Sequence, residues 1–174
     1  SVSVNSMCDR AKLAADDHHG HADTPLVFYN DAMRQKMLEE QFVSGAMKEG
    51  LEQHQFLVYY QPKYDLHTEM IAGAEALVRW QHPERGFMSP GQFIPIFERN
   101  GQICRLDRYV WEQACKDLRK WMDEGLTPVP VSVNVSRADI MNPSLDELLL
   151  GLTRQYGIPL PYLHLEITES AYTN

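Results

Sequence analysis

The chain of 174 residues is long enough for one ordinary domain, or for a small piece of one domain and most of a second. Its 44% hydrophobic and 23% charged residues make a globular composition and exclude wholesale disorder. The formal net charge of -8 argues against DNA or RNA polymers as partners, while a local Arg/Lys cluster could still hold a small anion.

No run reaches the ~20 apolar residues of a membrane-spanning helix. The opening SVSVNSMCDRAK lacks the charged-then-apolar order of a secretion signal, and lacks an initiator Met, so further sequence upstream is expected. Cys8, Cys104 and Cys115 are odd in number and form no CxxC pair, which points to reduced thiols in a cytoplasmic protein; any membrane anchor of the parent would lie upstream.

In chain order, MCDRAKLAA (7–15) predicts a short helix, DDHHGHADTP (16–25) a polar loop and LVFYN (26–30) a short strand. The loop gathers Asp17, His18, His19 and His21, but their spacing fits no standard zinc pattern and a solvated linker accounts for them. Residues 31–53 predict a helix capped by Asp31, with Met33, Met37, Leu38, Phe42, Met47 and Leu51 along roughly one face. Such a helix connects two domains, or serves a partner. Strands follow at Phe56–Tyr60 and Met70–Trp80, then helices at Ser89–Arg99, opened by Ser-Pro, and Leu106–Met122, stopped by Gly125. Val129–Val135 reads as a strand, Leu145–Tyr156 as a helix and Leu163–Thr168 as a strand. Strands alternating with helices predict parallel βα units and an α/β fold.

Three polar residues sit oddly in these apolar strands: Glu75, Asn134 and Glu166, each read as lying at or near a C-terminal strand end. That is where a βα barrel gathers its active-site groups. Arg79 falls on the same side of its strand as Glu75 by period-two alternation. Two carboxylates and an amide oxygen form a donor set that a hard cation such as Mg²⁺ or Mn²⁺ prefers.

The motifs around these residues resemble those of the EAL family of cyclic di-GMP phosphodiesterases. GAEALVRWQHP (73–83) carries the Glu75-Ala76-Leu77 signature followed by Arg79-Trp80 and His82-Pro83. YYQPK (59–63), FIPIFERNG (93–101), SVNVSR (132–137) and LEITES (165–170) resemble the family's flanking motifs in family order. The resemblance covers residues 54–174, as the N-terminal half of such a domain. Residues 1–30 resemble, more weakly, the C-terminal remnant of a GGDEF domain, and 31–53 then form the connecting helix.

The resemblance implies a partial (βα)₈ TIM-type barrel, about four of eight strands, preceded by a linker helix. It implies metal-dependent hydrolysis of cyclic di-GMP to linear pGpG with two Mg²⁺ or Mn²⁺ ions. By motif position Glu75, Asn134 and Glu166 are metal ligands, and Glu75 and Glu169 catalytic positions, Glu169 steadying a loop that carries a later acidic pair. Gln61, Leu77, Arg79 and, more weakly, Arg137 are substrate contacts. The family's later acidic pair, lysine and glutamate are expected beyond Asn174, so the fragment alone is expected to be inactive. Competing readings are a non-catalytic cyclic di-GMP receptor and a scaffold that forms a homodimer through the 31–53 helix.

Overall fold

In the computed structural model, which describes residues 3–17 and 29–167, the chain divides into two units, Ser1–Gly45 and Ala46–Asn174. In the first, α1 (Val4–Asp17) is longer than the predicted helix, and Arg10 lies over the Tyr29 ring at 5.1 Å. Helix α2 (Asp31–Glu52) runs through the division. Its cap is Asn30, whose Oδ1 accepts from Met33 N–H at 3.0 Å; Asp31 sits one position later, in the first turn, where its charge suits the helix dipole. The histidine-rich tract 18–25 and residues 26–28 of the predicted strand lie outside the described residues, and Tyr29 and Asn30 belong to no strand.

The second unit is built on a five-stranded sheet: β1 (Phe56–Tyr64), β2 (Ile71–His82), β3 (Gly86–Met88), β4 (Val131–Val135) and β5 (Leu163–Ile167). The strand path is β1-β2-β4-β5, and β3 pairs with β2. Helices α3 (Pro90–Arg99) and α4 (Ile103–Asp123) connect β3 to β4; α5 (Arg137–Ile140) and α6 (Leu145–Tyr156) connect β4 to β5. The β2-β4-β5 ladders are parallel, as the alternating elements predict. The β1–β2 pair is antiparallel, because only the short turn 65–70 separates these strands. A parallel return needs a dozen or more residues. In the turn, Asp65 Oδ1 accepts from His67 and Thr68 N–H at 2.7 and 3.2 Å. β1 runs past the predicted Tyr60 to Tyr64, and Pro62 is tolerated because, among the described residues, no strand pairs with β1 on the side away from β2.

One face of the sheet packs under helices. Ala74, Ala76, Trp80, Val131, Val133 and Val135 are each 8% exposed or less, and β1 adds Phe56. Their alternate neighbours Gln61, Glu75, Leu77, Arg79 and Asn134 line the other face. Helix α4 is tied to the sheet by Tyr60 Oη–H donating to Asp117 Oδ2 at 2.6 Å and Trp111 Nε1–H donating to the Asn134 carbonyl at 2.9 Å. Burial, aided by Asp117, raises the Tyr60 phenol well above its ordinary value, so it stays a donor.

An aromatic cluster of Phe56, Trp80, Phe93 and Phe97 closes the far end, with Phe56 and Trp80 ring centroids 4.6 Å apart. The C-terminal part of α2 reaches this cluster at Gly50. A Cβ there would stand 2.8 Å from Phe56 Cε2 and 3.3 Å from Trp80 Cζ2. Gly50→Ala should therefore destabilise the protein by about 1–3 kcal/mol, despite the gain in helix propensity. A urea midpoint unchanged or raised in the variant would contradict this.

Candidate functional site

The site lies on the sheet face away from the helices. Register places Gln61 opposite Glu75 and Leu57 opposite Arg79 across β1–β2. Glu75 stands opposite Ser132, and Asn134 opposite Glu166, across the parallel ladders. Register thus sets the three oxygen-bearing residues on adjoining strands. Asn134 Nδ2–H donates to Glu75 Oε1 at 3.1 Å. Asn134 and Glu166 lie next to the last residues of β4 and β5, whereas Glu75 is mid-strand. The reason is that β2 pairs with β4 only over Ala74–Ala76, then runs on to pair with β1 and β3. Glu75 is near the end of its parallel ladder, not of its strand.

The residue that sequence reasoning missed is Lys63. It sits two positions after Gln61 on the same strand face, and its Nζ donates to the Glu166 carboxylate and, at 3.2 Å, to Ser132 Oγ. The signal was present in YYQPK, where Lys63 follows Gln61 at the same period-two spacing that linked Glu75 to Arg79. Its ammonium is a cation already resting on Glu166.

Arg79 keeps to the open face, half-buried, with Nη1–H donating to the Val78 carbonyl at 2.8 Å. Beside it a cavity of about 160 Å³ is lined by Leu77, Asn134, Glu98, Asp107 and apolar side chains of α3 and α4. That is below the ~300 Å³ at the low end of ligand pockets, so a dinucleotide would have to lie on the open sheet face. Arg137, first residue of α5, lines a separate hollow with Glu98 and Met141. Glu169 lies outside the described residues. His82, part of the HP motif, is architectural. It is 7% exposed and its Nδ1 accepts from the Glu84 and Arg85 N–H groups, shaping the β2–β3 turn.

The chemistry of the donor set fits Mg²⁺ or Mn²⁺. Among the described residues no three His, Cys, Asp or Glu side chains converge, so a cation held here would need the Asn134 amide as a further donor. Turning that amide end for end would present Oδ1 beside Glu75 in place of Nδ2. Lys63 would have to leave Glu166. Lys63→Met is therefore expected to tighten Mn²⁺ binding several-fold, since a half-exposed ion pair opposes it by up to about 1 kcal/mol. Titration calorimetry on the variant tests this, and weaker binding than in the wild type would refute it.

The fold and site together define an open α/β barrel sheet carrying oxygen donors on its strands. The EAL domain family model matches residues 44–174, and the chain belongs to this family. An uncharacterized Mycobacterium tuberculosis protein is 39% identical over 142 residues, covering 81% of this chain and 46% of the relative. The bifunctional diguanylate cyclase/cyclic di-GMP phosphodiesterase MucR of Pseudomonas aeruginosa is 31% identical over 143 residues, covering 82% of this chain and 21% of MucR. The solved MucR phosphodiesterase in complex with c-di-GMP superposes with a TM-score of 0.70 at 31% identity, over 76% of this chain and 54% of that one. The EAL enzyme Bd1971, in its cAMP- and cyclic-di-GMP-bound form, gives 0.68 at 25% identity, over 98% and 45%. The chain spans less than half the length of these curated relatives. Among the described residues no helix is long and apolar enough to cross a membrane.

Proposed function

We propose that the full-length protein hydrolyses one phosphodiester bond of cyclic di-GMP to give linear pGpG. The observation that carries this reading is the convergence of Glu75, Asn134 and Glu166 on one open sheet face with Arg79, in a chain of the EAL family. A bound pair of Mg²⁺ or Mn²⁺ ions would neutralise phosphodiester charge and make water more acidic. Glu75 and Glu166 hold the cations as carboxylates, and uncharged Asn134 leaves them more electrophilic than a third carboxylate would. The Arg79 guanidinium releases the Val78 carbonyl and clamps a phosphate, for which its planar fork is suited. Gln61 and Leu77, on the same face, contact the nucleotide; Arg137 does so from the β4–α5 turn, and Glu169 steadies the neighbouring loop.

The chain spans less than half of its curated relatives, so hydrolysis is proposed for the full-length protein. Residues 1–30 then end a GGDEF-like domain. The deciding experiment is Mg²⁺-dependent conversion of cyclic di-GMP to pGpG by the full-length protein, followed by chromatography. Tight binding with no product would replace the enzyme reading with that of a receptor.

A further inference from the structure

Where α4 crosses the C-terminal end of β4 lie two carboxyl groups, Asp139 buried and Asp107 half-buried with one oxygen sealed from solvent. Asp139, on α5, is 3% exposed. Its Oδ2 accepts from Ser136 Oγ–H at 2.6 Å, and its backbone N–H lies 3.3 Å from the same hydroxyl oxygen, a local ring that caps α5. Asp107, on α4, lines one cavity with Ser136, and Asp139 and Ser136 are the side chains that act on its carboxyl. Its Oδ2 is sealed from solvent, yet no donor reaches it. An ionised carboxylate only accepts, so as an anion Asp107 would bury one orphaned oxygen and set two negative charges in contact. A proton on Asp107 removes both defects at once, because the orphaned oxygen becomes a donor and one of the two negative charges is lost.

We propose that Asp107 is the protonated member of an Asp107–Asp139 acid pair, and that its O–H holds α4 against the β4–α5 turn as a positioning residue for Asn134 and Arg137. Helix α4 then grips the end of β4 at two points one turn apart. Trp111 Nε1–H holds the Asn134 carbonyl at every pH, and Asp107 holds Asp139 only while it carries its proton.

Burial first, then Asp139, pushes the Asp107 carboxyl up to about 8, against the opposing pull of Ser136. Among the described residues, Cys104 on its own helix interacts with Asp107, and Glu98 from α3 and Arg79 from β2 line the same cavity. Burial and Asp139 push the Cys104 thiol up to about 11, so it stays neutral through the range in which Asp107 titrates. The folded-state value lies above the ordinary 3.8, so the stabilisation is complete below about pH 4 and is lost as pH rises through about 8.

The acid pair can be tested on the chain itself; its bearing on Asn134 and Arg137 rests on the phosphodiesterase reading. The variant is Asp107→Asn, whose amide N–H can still donate to Asp139 but cannot ionise. At pH 6 the wild type should show a protonated-carboxyl infrared band that the variant lacks. By NMR, the amides of residues 136–139 and the Asn134 side chain should titrate with a midpoint well above the ordinary carboxylate range, and stay flat in Asp107→Asn. Asp139→Asn, which removes the neighbouring anion, should lower that midpoint. No protonated carboxyl at pH 6, or a titration that persists unchanged in Asp107→Asn, would overturn the proposal. Since neither readout needs turnover, failure of the acid pair and failure of the enzymatic reading are told apart.

Discussion

Glu75→Gln in the full-length protein is expected to lower cyclic di-GMP hydrolysis by roughly a thousandfold, about 4 kcal/mol of transition-state stabilisation. The substitution keeps the shape of the side chain and removes one of two carboxylates on the open sheet face. On the proposed two-cation reading, a neutral donor in that place would leave Glu166 as the one anionic ligand among these three. Folding should be little affected. Glu75 is half-buried and its recorded partner, Asn134 Nδ2–H, can donate equally well to a glutamine oxygen. The measurement is initial-rate pGpG formation at saturating Mg²⁺, with a urea midpoint as control. A variant within tenfold of wild type would remove Glu75 from the catalytic role.

Trp80→Ala should cost about 3–5 kcal/mol of stability, the range for emptying a large aromatic site in a core. Trp80 is 0% exposed and stands among Phe56, Phe93, Phe97 and His82, with ring centroids 4.6 to 6.0 Å away. Its Nε1–H donates to Gln55 Oε1 at 3.0 Å, so truncation also leaves that amide oxygen without its donor. Equilibrium urea denaturation of the 174-residue chain measures the loss. A change below about 1 kcal/mol would mean that the aromatic cluster repacks and does not carry this end of the sheet.

Much of this fold was legible because hydrophobic period and punctuation agree along the chain. Ser89-Pro90 announced α3, and the structure supplies the reason: Gln92 Oε1 accepts from Ser89 N–H at 2.8 Å in a capping box. The β-branched run before Asn134 could only be a buried strand, and Val131, Val133 and Val135 are at most 1% exposed. The direction of β1 was not legible from alternation, since pairing direction is decided by connection length and not by the pattern within a strand. The end of β1 was obscured by Pro62, which propensity penalises and which stands on the side of β1 that no described strand pairs with.

The candidate site divides in the same way. Glu75, Asn134 and Glu166 stood out because carboxylates and amides are rare inside apolar strands. Lys63 did not, because a lysine near a strand end is an ordinary surface residue until cross-strand register brings it to Glu166. Asp107 was hidden for the opposite reason. On an amphipathic helix an aspartate reads as a solvated position, and the groups that seal its Oδ2 are distant in sequence.

Strand β2 works as a reading frame. In Glu75-Ala76-Leu77 the outer letters face the open side, while the middle one, 2% exposed, is read by the helices. Alanine keeps α4 close, and Trp80 fixes the phase further along. An added residue in the turn 65–70 would lengthen a hairpin and leave the frame intact. The same residue added between Gly73 and Trp80 would turn Glu75 or Arg79 toward the helices and carry an alanine or valine to the open face, a frameshift in three dimensions that abolishes the site while barely changing the composition of the strand.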